Sequence, residues 1–459
     1  MPPVLAATLV VAVILTFFVL EREAKARLSW ALWLPMAWLL ISGSRPVSSW
    51  FDMTPVQSAA QYMEGSPLDR VVYTLLLAAG IAVLVKRRKI VARLLRKNWP
   101  ILLFVFYCAI SVTWSDYPGV AFKRWIKSLS DYVMVLIILT DLDREAALRR
   151  VLARASFILL PLSVLFIKYY PGLGRGYAEH WEGTQFFIGV ADNKNMLGMT
   201  CLVFGLAALW RVLHARTGLR RYRNQTLAIH LSLLAMAIWL LLKSNSKTSL
   251  ACFVATGGLM VAHTFSRTAR KRVVVNLLVA AVVLISFSVL FLGIGGGVLQ
   301  TFGRDSTLTG RTAIWDVLLT VPVNPLVGTG FESFWLGQRL QFLWKFQIVK
   351  NITEAHNGYF EVYLNLGWIG VIFLAGLLWT GYRNVLQLLS RDPEAGRLRL
   401  GYFVMAVIYN FTEAGIRTTD LVWIAFILAI FALPTPRVAR TSPRKKQSSS
   451  LALEAAQYA

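Results

Sequence analysis

Charge is scarce in this chain. Only 15% of its 459 residues are Asp, Glu, Lys or Arg, while 56% are apolar. An ordinary soluble domain carries roughly a quarter charged residues. With a mean hydropathy of +0.57, the apolar surface exceeds what one aqueous core can hide, so lipid must be the main solvent. Cysteine is scarce too. Cys108, Cys201 and Cys252 all lie in apolar runs, which excludes a disulfide framework and offers no metal-ligand spacing. There is no Gly-Lys-Ser/Thr phosphate loop, so ATP is not expected as a direct power source. No histidine pair has zincin spacing. The two matching halves with broken helices that many transporters show are also missing.

What is present is a series of thirteen apolar runs, at 4–20, 28–43, 71–85, 100–114, 126–139, 153–170, 196–213, 226–242, 248–265, 273–294, 359–380, 398–412 and 419–434. Acidic residues number 23 against 48 Lys and Arg, a net charge of +25. In a membrane protein such an excess fixes orientation, so it does not point to nucleic acid. The odd-numbered loops and the tail, with their flanking helix ends, hold 32 of the 48 basic residues. Lys86-Arg87-Arg88-Lys89 with Arg93, Arg96 and Lys97 forms the strongest anchor. The odd loops and tail are therefore expected in the cytoplasm and the N-terminal residues outside. Ala24-Lys25-Ala26 resembles a signal-peptide cleavage site, but residues 1–3 carry no basic side chain and Glu21-Arg22-Glu23 is charged, so a retained first span is expected. Trp30, Trp33 and Trp38 suit an interfacial belt. The expected fold is an all-α polytopic membrane protein of about twelve to thirteen transmembrane helices, spanning 1–435. Its one large extracytoplasmic loop, 295–358, is aromatic enough to form amphipathic helices on the outer leaflet. Residues 436–459 read as a disordered basic cytoplasmic tail.

Asp141-Leu-Asp143 looks like an Asp-x-Asp metal clamp, but it opens a helix and is followed by Arg144-Glu145, which favours capping. Gly172-x-Gly174-x-Gly176 and Gly293-x-Gly295-Gly296-Gly297 follow no strand and read as loop hinges. The polar segments that stand out all lie on even loops. Lys123, Lys127 and Asp131 share one helix face beside Arg124; snorkelling is the preferred reading for the two lysines. Asp192-Asn193-Lys194-Asn195 opens the seventh run, and Ser244-Asn-Ser246-Lys247-Thr248-Ser249 joins the eighth and ninth. Each suits either an anion at a helix start or polar capping. Gly310-Arg311-x-x-x-Trp315 is followed by Gly328-x-Gly330. Glu354-Ala-His356-Asn357 precedes Glu361 and Asn365 inside an apolar run, where polar groups are costly and point to function. Glu413 and Arg417 could simply pair.

His356-Asn357 followed by Gly367-x-x-Gly370 resembles the pattern of bacterial O-antigen ligases and related polysaccharide polymerases. Gly310-Arg311-x-x-x-Trp315 and Gly328-x-Gly330 resemble that family's preceding segment. Lys194-Asn195-x-Leu197-Gly198 and Ser244-x-Ser246-Lys247-Thr248 resemble its exopolysaccharide polymerase branch, with Asn193 where relatives often carry histidine. The resemblance spans roughly 110–420. It implies a glycosyltransferase at the outer face of the bacterial inner membrane. The enzyme would move glycan from a polyprenyl-diphosphate carrier to a hydroxyl acceptor, which is another carrier-linked glycan for a polymerase or a lipid A core for a ligase. Cations are then needed where the diphosphate develops charge, and a base near the acceptor hydroxyl. Arg311 is the first choice for the former and His356 for the latter, with Glu361 and Glu413 as alternative bases. Arg124, Lys194, Asn195, Lys247, Asn357 and Arg417 are candidate substrate contacts. Neither a cofactor nor a metal is required. Membrane lipids and other polysaccharide assembly proteins are the expected neighbours. The competing reading is a transporter of lipid-linked glycan.

Overall fold

The computed structural model describes residues 1–21, 27–51, 63, 65–177, 185–215, 220–291 and 311–433. The tail beyond Pro436, the glycine cluster at 293–297 and Gly310 lie outside these residues. Every apolar run falls on a helix. In chain order the helices are α1 (Pro3–Leu20), α2 (Trp33–Ser42), α3 (Pro67–Lys86), α4 (Arg88–Lys97), α5 (Trp99–Ser111), α6 (Pro118–Leu139), α7 (Arg144–Tyr169), α8 (Lys194–Ala215), α9 (Arg220–Ser244), α10 (Lys247–Phe265), α11 (Arg272–Phe291), α12 (Arg311–Leu319), α13 (Gly337–Leu343), α14 (Gly358–Arg391), α15 (Pro393–Tyr409) and α16 (Leu421–Ile430). A hairpin of β1 (Arg175–Tyr177) and β2 (Gln185–Phe187) pairs Arg175 with Phe187. The fold is all-α and polytopic. Among the described residues, seven helices are long and apolar enough to cross a membrane, and α4 with α5, bent by 90°, makes an eighth candidate.

Four of the other five runs sit on helices that are short or charged, for a physical reason, and the fifth, on α11, runs up to residues outside the described ones. Every residue of α16 is buried, and it packs on α6, α8, α14 and α15. Ten residues rise about 15 Å, half of the ~30 Å hydrocarbon core. A helix wrapped in protein can be short, because extended chain on either side finds partners there. Ala432 exchanges hydrogen bonds with Asn98 (2.7 and 3.2 Å), and Arg399 donates to the Phe431 carbonyl. Helix α6 carries Lys123, Arg124, Lys127 and Asp131, and all but Lys123 find partners within the protein. Asp131 is buried, accepting from Trp38 Nε1 (2.9 Å) and the Thr419 amide (3.0 Å). Lys127 does not snorkel as expected: its ammonium sits 4.1 Å from the Tyr73 ring centroid. Lys123 is exposed. Outer helices show the converse pattern, with only Ala6 and Phe17 buried along α1.

Two smaller expectations resolve locally. Asp143 caps α7 by accepting from the Ala146 amide at 3.0 Å, while Asp141 pairs with Arg87 at 3.0 Å. Gly174 is no free hinge, since a Cβ there would overlap the backbone of Phe166 and Ile167.

Helix α14 is interrupted at Gly367, whose φ of 62° and ψ of −167° break the hydrogen-bond ladder. In lipid such freed groups must be satisfied by protein. The segment 325–330 fills the gap. Thr329 and Gly330 amides donate to the Leu364 and Asn365 carbonyls (3.1 and 2.8 Å), and Trp368 and Ile369 amides donate to Pro325 and Leu326 (2.9 and 3.1 Å). Tyr107 donates to the Leu366 carbonyl at 2.9 Å. Backbone lies so close to backbone that a Cβ on Gly367 would strike Leu326, and one on Gly328 would strike Asn365. This interlock explains why Gly-x-Gly and Gly-x-x-Gly stand in the sequence.

The interlock also pins the segment 311–357, which carries its own apolar core of Ile314, Leu318, Phe334, Trp335, Leu340 and Leu343. Phe342, Phe346 and Ile348 remain exposed, the apolar side expected of a segment facing a leaflet. Gly367→Ala is expected to lower the melting temperature of the detergent-purified protein sharply. The positive φ alone costs about 1–3 kcal/mol, and the clash adds to it. An unchanged melting temperature would show that the two segments do not interlock.

Candidate active site

The opening of α14 is built by Asn357. Its Oδ1 caps the helix by accepting from the Tyr359 and Phe360 amides, both at 3.0 Å, and its Nδ2 donates to the Phe411 carbonyl at 3.2 Å. Asn357 therefore joins the helix start to the 410–420 connection. Gly358 completes the join, because its amide reaches the Asn410 and Glu413 carbonyls at 2.9 and 3.1 Å. Glu361 is buried one turn further in. Its Oε1 accepts from Trp335 Nε1 and Asn365 Nδ2, and its Oε2 from the Ala355 amide. Oε2 thus holds the chain immediately before His356, while Oε1 ties Trp335 to the helix.

His356 is left at a φ of 49°, a sparsely populated region for a non-glycine residue. Glu332 and Thr419 share this feature, at 45° and 64°, and their partners hold them there. Glu332 accepts from Thr418 through its amide and hydroxyl (3.2 and 2.7 Å), and its carbonyl accepts from Arg124 at 2.8 Å.

On this frame five side chains alternate in charge. Arg311 Nη2 binds Glu413 Oε1 at 2.6 Å, and Glu413 Oε2 lies 3.3 Å from His356 Nδ1. The same Nδ1 lies 3.2 Å from Glu354 Oε1, whose other oxygen receives Arg417 Nη1 at 2.6 Å. Glu413 and Arg417, for which a simple i,i+4 pairing is one reading of the sequence, each reach to the 311–357 segment. Burial works against the imidazolium. The hydrogen bond to Glu413 and the charges of Glu354 and Glu413 outweigh it, and the His356 pKa is raised despite Arg311. Two carboxylates at Nδ1 demand a proton there, which leaves the Nε2 lone pair as the basic site of the neutral ring. Arg311 Nη1 is buried with no hydrogen-bond partner among the described residues. A buried, unsatisfied guanidinium donor is costly and suits an anionic ligand.

Glu354, His356 and Glu413 bring donor atoms within 4.8 Å of one another, close enough to hold a metal ion. Each carboxylate binds an arginine through one oxygen and faces His356 Nδ1 through the other, so a cation there would displace the Nδ1 proton and sit beside two guanidinium groups. The arrangement fits an anion better.

Beside this cluster a cavity of about 70 Å³ is lined by Arg124, Glu332, Trp335, Glu361, Arg417 and Thr418, with an apolar wall that includes Phe104 and Trp423. The remaining motifs reach the site through contacts. A Cβ on Gly198 would meet Ser246, and Thr248 Oγ1 lies 2.9 Å from Thr412 Oγ1, next to Glu413. Lys194 and Lys247, each the first residue of its helix, are exposed at this end, and Asn195 is half-buried. Asn193 accepts from the Met196 amide at 2.9 Å, as a capping residue does.

Glu354 and Glu332 received no role from the sequence. Glu354 is adjacent to the histidine motif and was within reach of inspection. Glu332 has no local signal.

Two comparisons bear on this geometry. The family model described as O-antigen ligase matches residues 231–375, which contain Arg311, His356 and the Gly367 break. Through this segment the chain is similar to the O-antigen ligase family. It is also similar to the exopolysaccharide production protein ExoQ of Rhizobium meliloti (strain 1021), with 29% identity over 394 residues, 80% of this chain and 82% of the relative. Glu413 and Arg417 fall outside the matched segment and join the site only through the fold.

The raised His356 pKa has a signed consequence. Its pairing stabilises the fold fully below the ordinary histidine value of about 6.5 and loses that contribution as pH rises through the higher folded value. The melting-temperature advantage of wild type over His356→Gln should therefore shrink as pH rises above the ordinary histidine value of about 6.5. A difference independent of pH would mean that the imidazole is not coupled to the two carboxylates.

Proposed function

We propose that this protein is an inner-membrane glycosyltransferase of the polymerase type, extending an exopolysaccharide or O-antigen chain from a polyprenyl-diphosphate donor. The observation that carries the reading is the shared Glu413, which holds Arg311 at 2.6 Å and His356 at 3.3 Å. An anion-binding fork and a base are thereby fixed side by side. The acceptor hydroxyl oxygen attacks the anomeric carbon, and the bond from that carbon to the diphosphate breaks. The hydroxyl proton passes to His356 Nε2. The diphosphate leaves with the bonding pair, and its growing charge meets Arg311, whose fork suits phosphate oxygens. Arg417 and Arg124 line the adjoining cavity as further cations. Lys194, Asn195 and Lys247 offer contacts for the second lipid-linked substrate. Glu361 and Asn357 act by positioning His356, since their polar atoms are already engaged. The excess of basic residues on the odd loops supports a periplasmic site.

His356→Ala and Arg311→Ala are each expected to lower glycan transfer by about 10²–10³ with normal protein level. Arg311→Lys should also be poor, because it keeps the charge and loses the fork. Near-normal product from His356→Ala would remove it as the base and pass that role to Glu413.

The ligase alternative has a specific support in the description of the matching family, whereas similarity to an exopolysaccharide production protein favours polymerase. A deletion strain separates them. Single repeat units should accumulate and long chains disappear. Long chains stranded on the polyprenyl carrier, absent from lipid A core, would instead identify a ligase.

A further inference from the structure

At the end of the bundle that carries the basic loops, a second polar cavity plays no part in the chemistry above. Its volume is about 330 Å³, and its lining includes Ser29, Trp30, Trp33, Met36, Arg150 and Arg154. One wall is α7, where Arg150 and Arg154 stand one turn apart. Like charges at this spacing repel, and neither arginine forms an ion pair with a described carboxylate. Glu21 borders the adjoining crevice with both arginines, but its Oε1 is bound to Arg211 at 3.0 Å and His230 at 2.9 Å.

The opposite wall is fixed. Asp141 accepts from the Ser29 amide at 3.3 Å and from its hydroxyl, and Arg87 bonds to both Asp141 (3.0 Å) and Ser29 Oγ (2.7 Å). The Arg154 guanidinium is held 5.5 Å from the Phe18 ring and 5.4 Å from Trp33. The rim is aromatic and faces outward, with Trp30 86% and Trp33 47% exposed. Tryptophan in that position marks a membrane–water interface, and basic cavities between helices on the positively charged side suit lipid headgroups.

We propose that this cavity binds the phosphate headgroup of an anionic phospholipid from the leaflet facing the basic loops. Arg150 and Arg154 clasp the phosphate, and Trp30 and Trp33 sit at headgroup level. The acyl chains lie along α1, which is otherwise largely uncovered. The lipid thereby relieves the repulsion within α7 and ties α1 to the bundle.

The full-length protein in nanodiscs tests this. Phosphatidylglycerol, compared with phosphatidylcholine, should raise the melting temperature of the wild type and be retained by it in native mass spectrometry. The Arg150→Gln/Arg154→Gln variant should lose that preference, by roughly fivefold for each arginine removed. Trp30→Ala, at an exposed position, should weaken retention without altering the fold, and it carries the test if the double variant does not fold. Undiminished retention by a folded variant overturns the site. Stabilisation in phosphatidylcholine by inorganic phosphate alone, with none added by phosphatidylglycerol, overturns the lipid as its source. Glycan transfer is not the readout, so either failure leaves the proposed function standing.

Discussion

Much of this structure depends on satisfying the backbone groups freed where α14 breaks at Gly367. Water cannot reach those groups inside a membrane, so they must bond to protein. The segment 325–330 supplies amides and carbonyls at 2.8–3.1 Å. In doing so it fixes the chain on both of its flanks. Upstream it anchors the segment that begins at Arg311. Downstream it leads through Glu332 and Trp335 to Glu354 and His356. The broken helix is thus the fixed point from which the catalytic candidates are hung.

The second organising feature is electrostatic. Charges along Arg311, Glu413, His356, Glu354 and Arg417 alternate in sign. Each carboxylate is shared between an arginine and the imidazole. Such sharing lets five ionisable groups crowd together in a poorly solvated place without a large unpaired charge. It also means that no member can be judged alone. Removing Glu413 would change both the orientation of His356 and the freedom of Arg311, and the effects of neighbouring substitutions should not add.

Hydropathy made the helices legible, because the cost of placing polar groups in lipid writes itself along the chain. Motif spacing made the paired glycines legible, since Gly328 and Gly367 sit where a close backbone approach demands that residue type; Arg311 and His356 were singled out from the same motifs, and the fold brings both to Glu413. The pairing of Arg311 with Glu413 joins positions 102 residues apart and has no local trace. Glu332 looks like an ordinary loop carboxylate until its bond to Thr418 is seen. Lys127 misled because snorkelling assumes lipid around it, whereas Tyr73 and α3 surround it instead. Helix α16 was short for the same reason: its solvent is protein.

The interlock between 325–330 and α14 also bears on how the chain is made. Synthesis runs from the N-terminus, so 325–330 is made before Gly367. Its partner carbonyls at Leu364 and Asn365 enter the membrane later, already interrupted. Docking of the earlier segment must therefore accompany, or directly follow, insertion of α14, and until then the helix carries unpaired amides in the bilayer. Biogenesis of this protein has a sensitive interval at that step. A slower translocation of the segment before α14, with no change to any contact in the finished molecule, would prolong it.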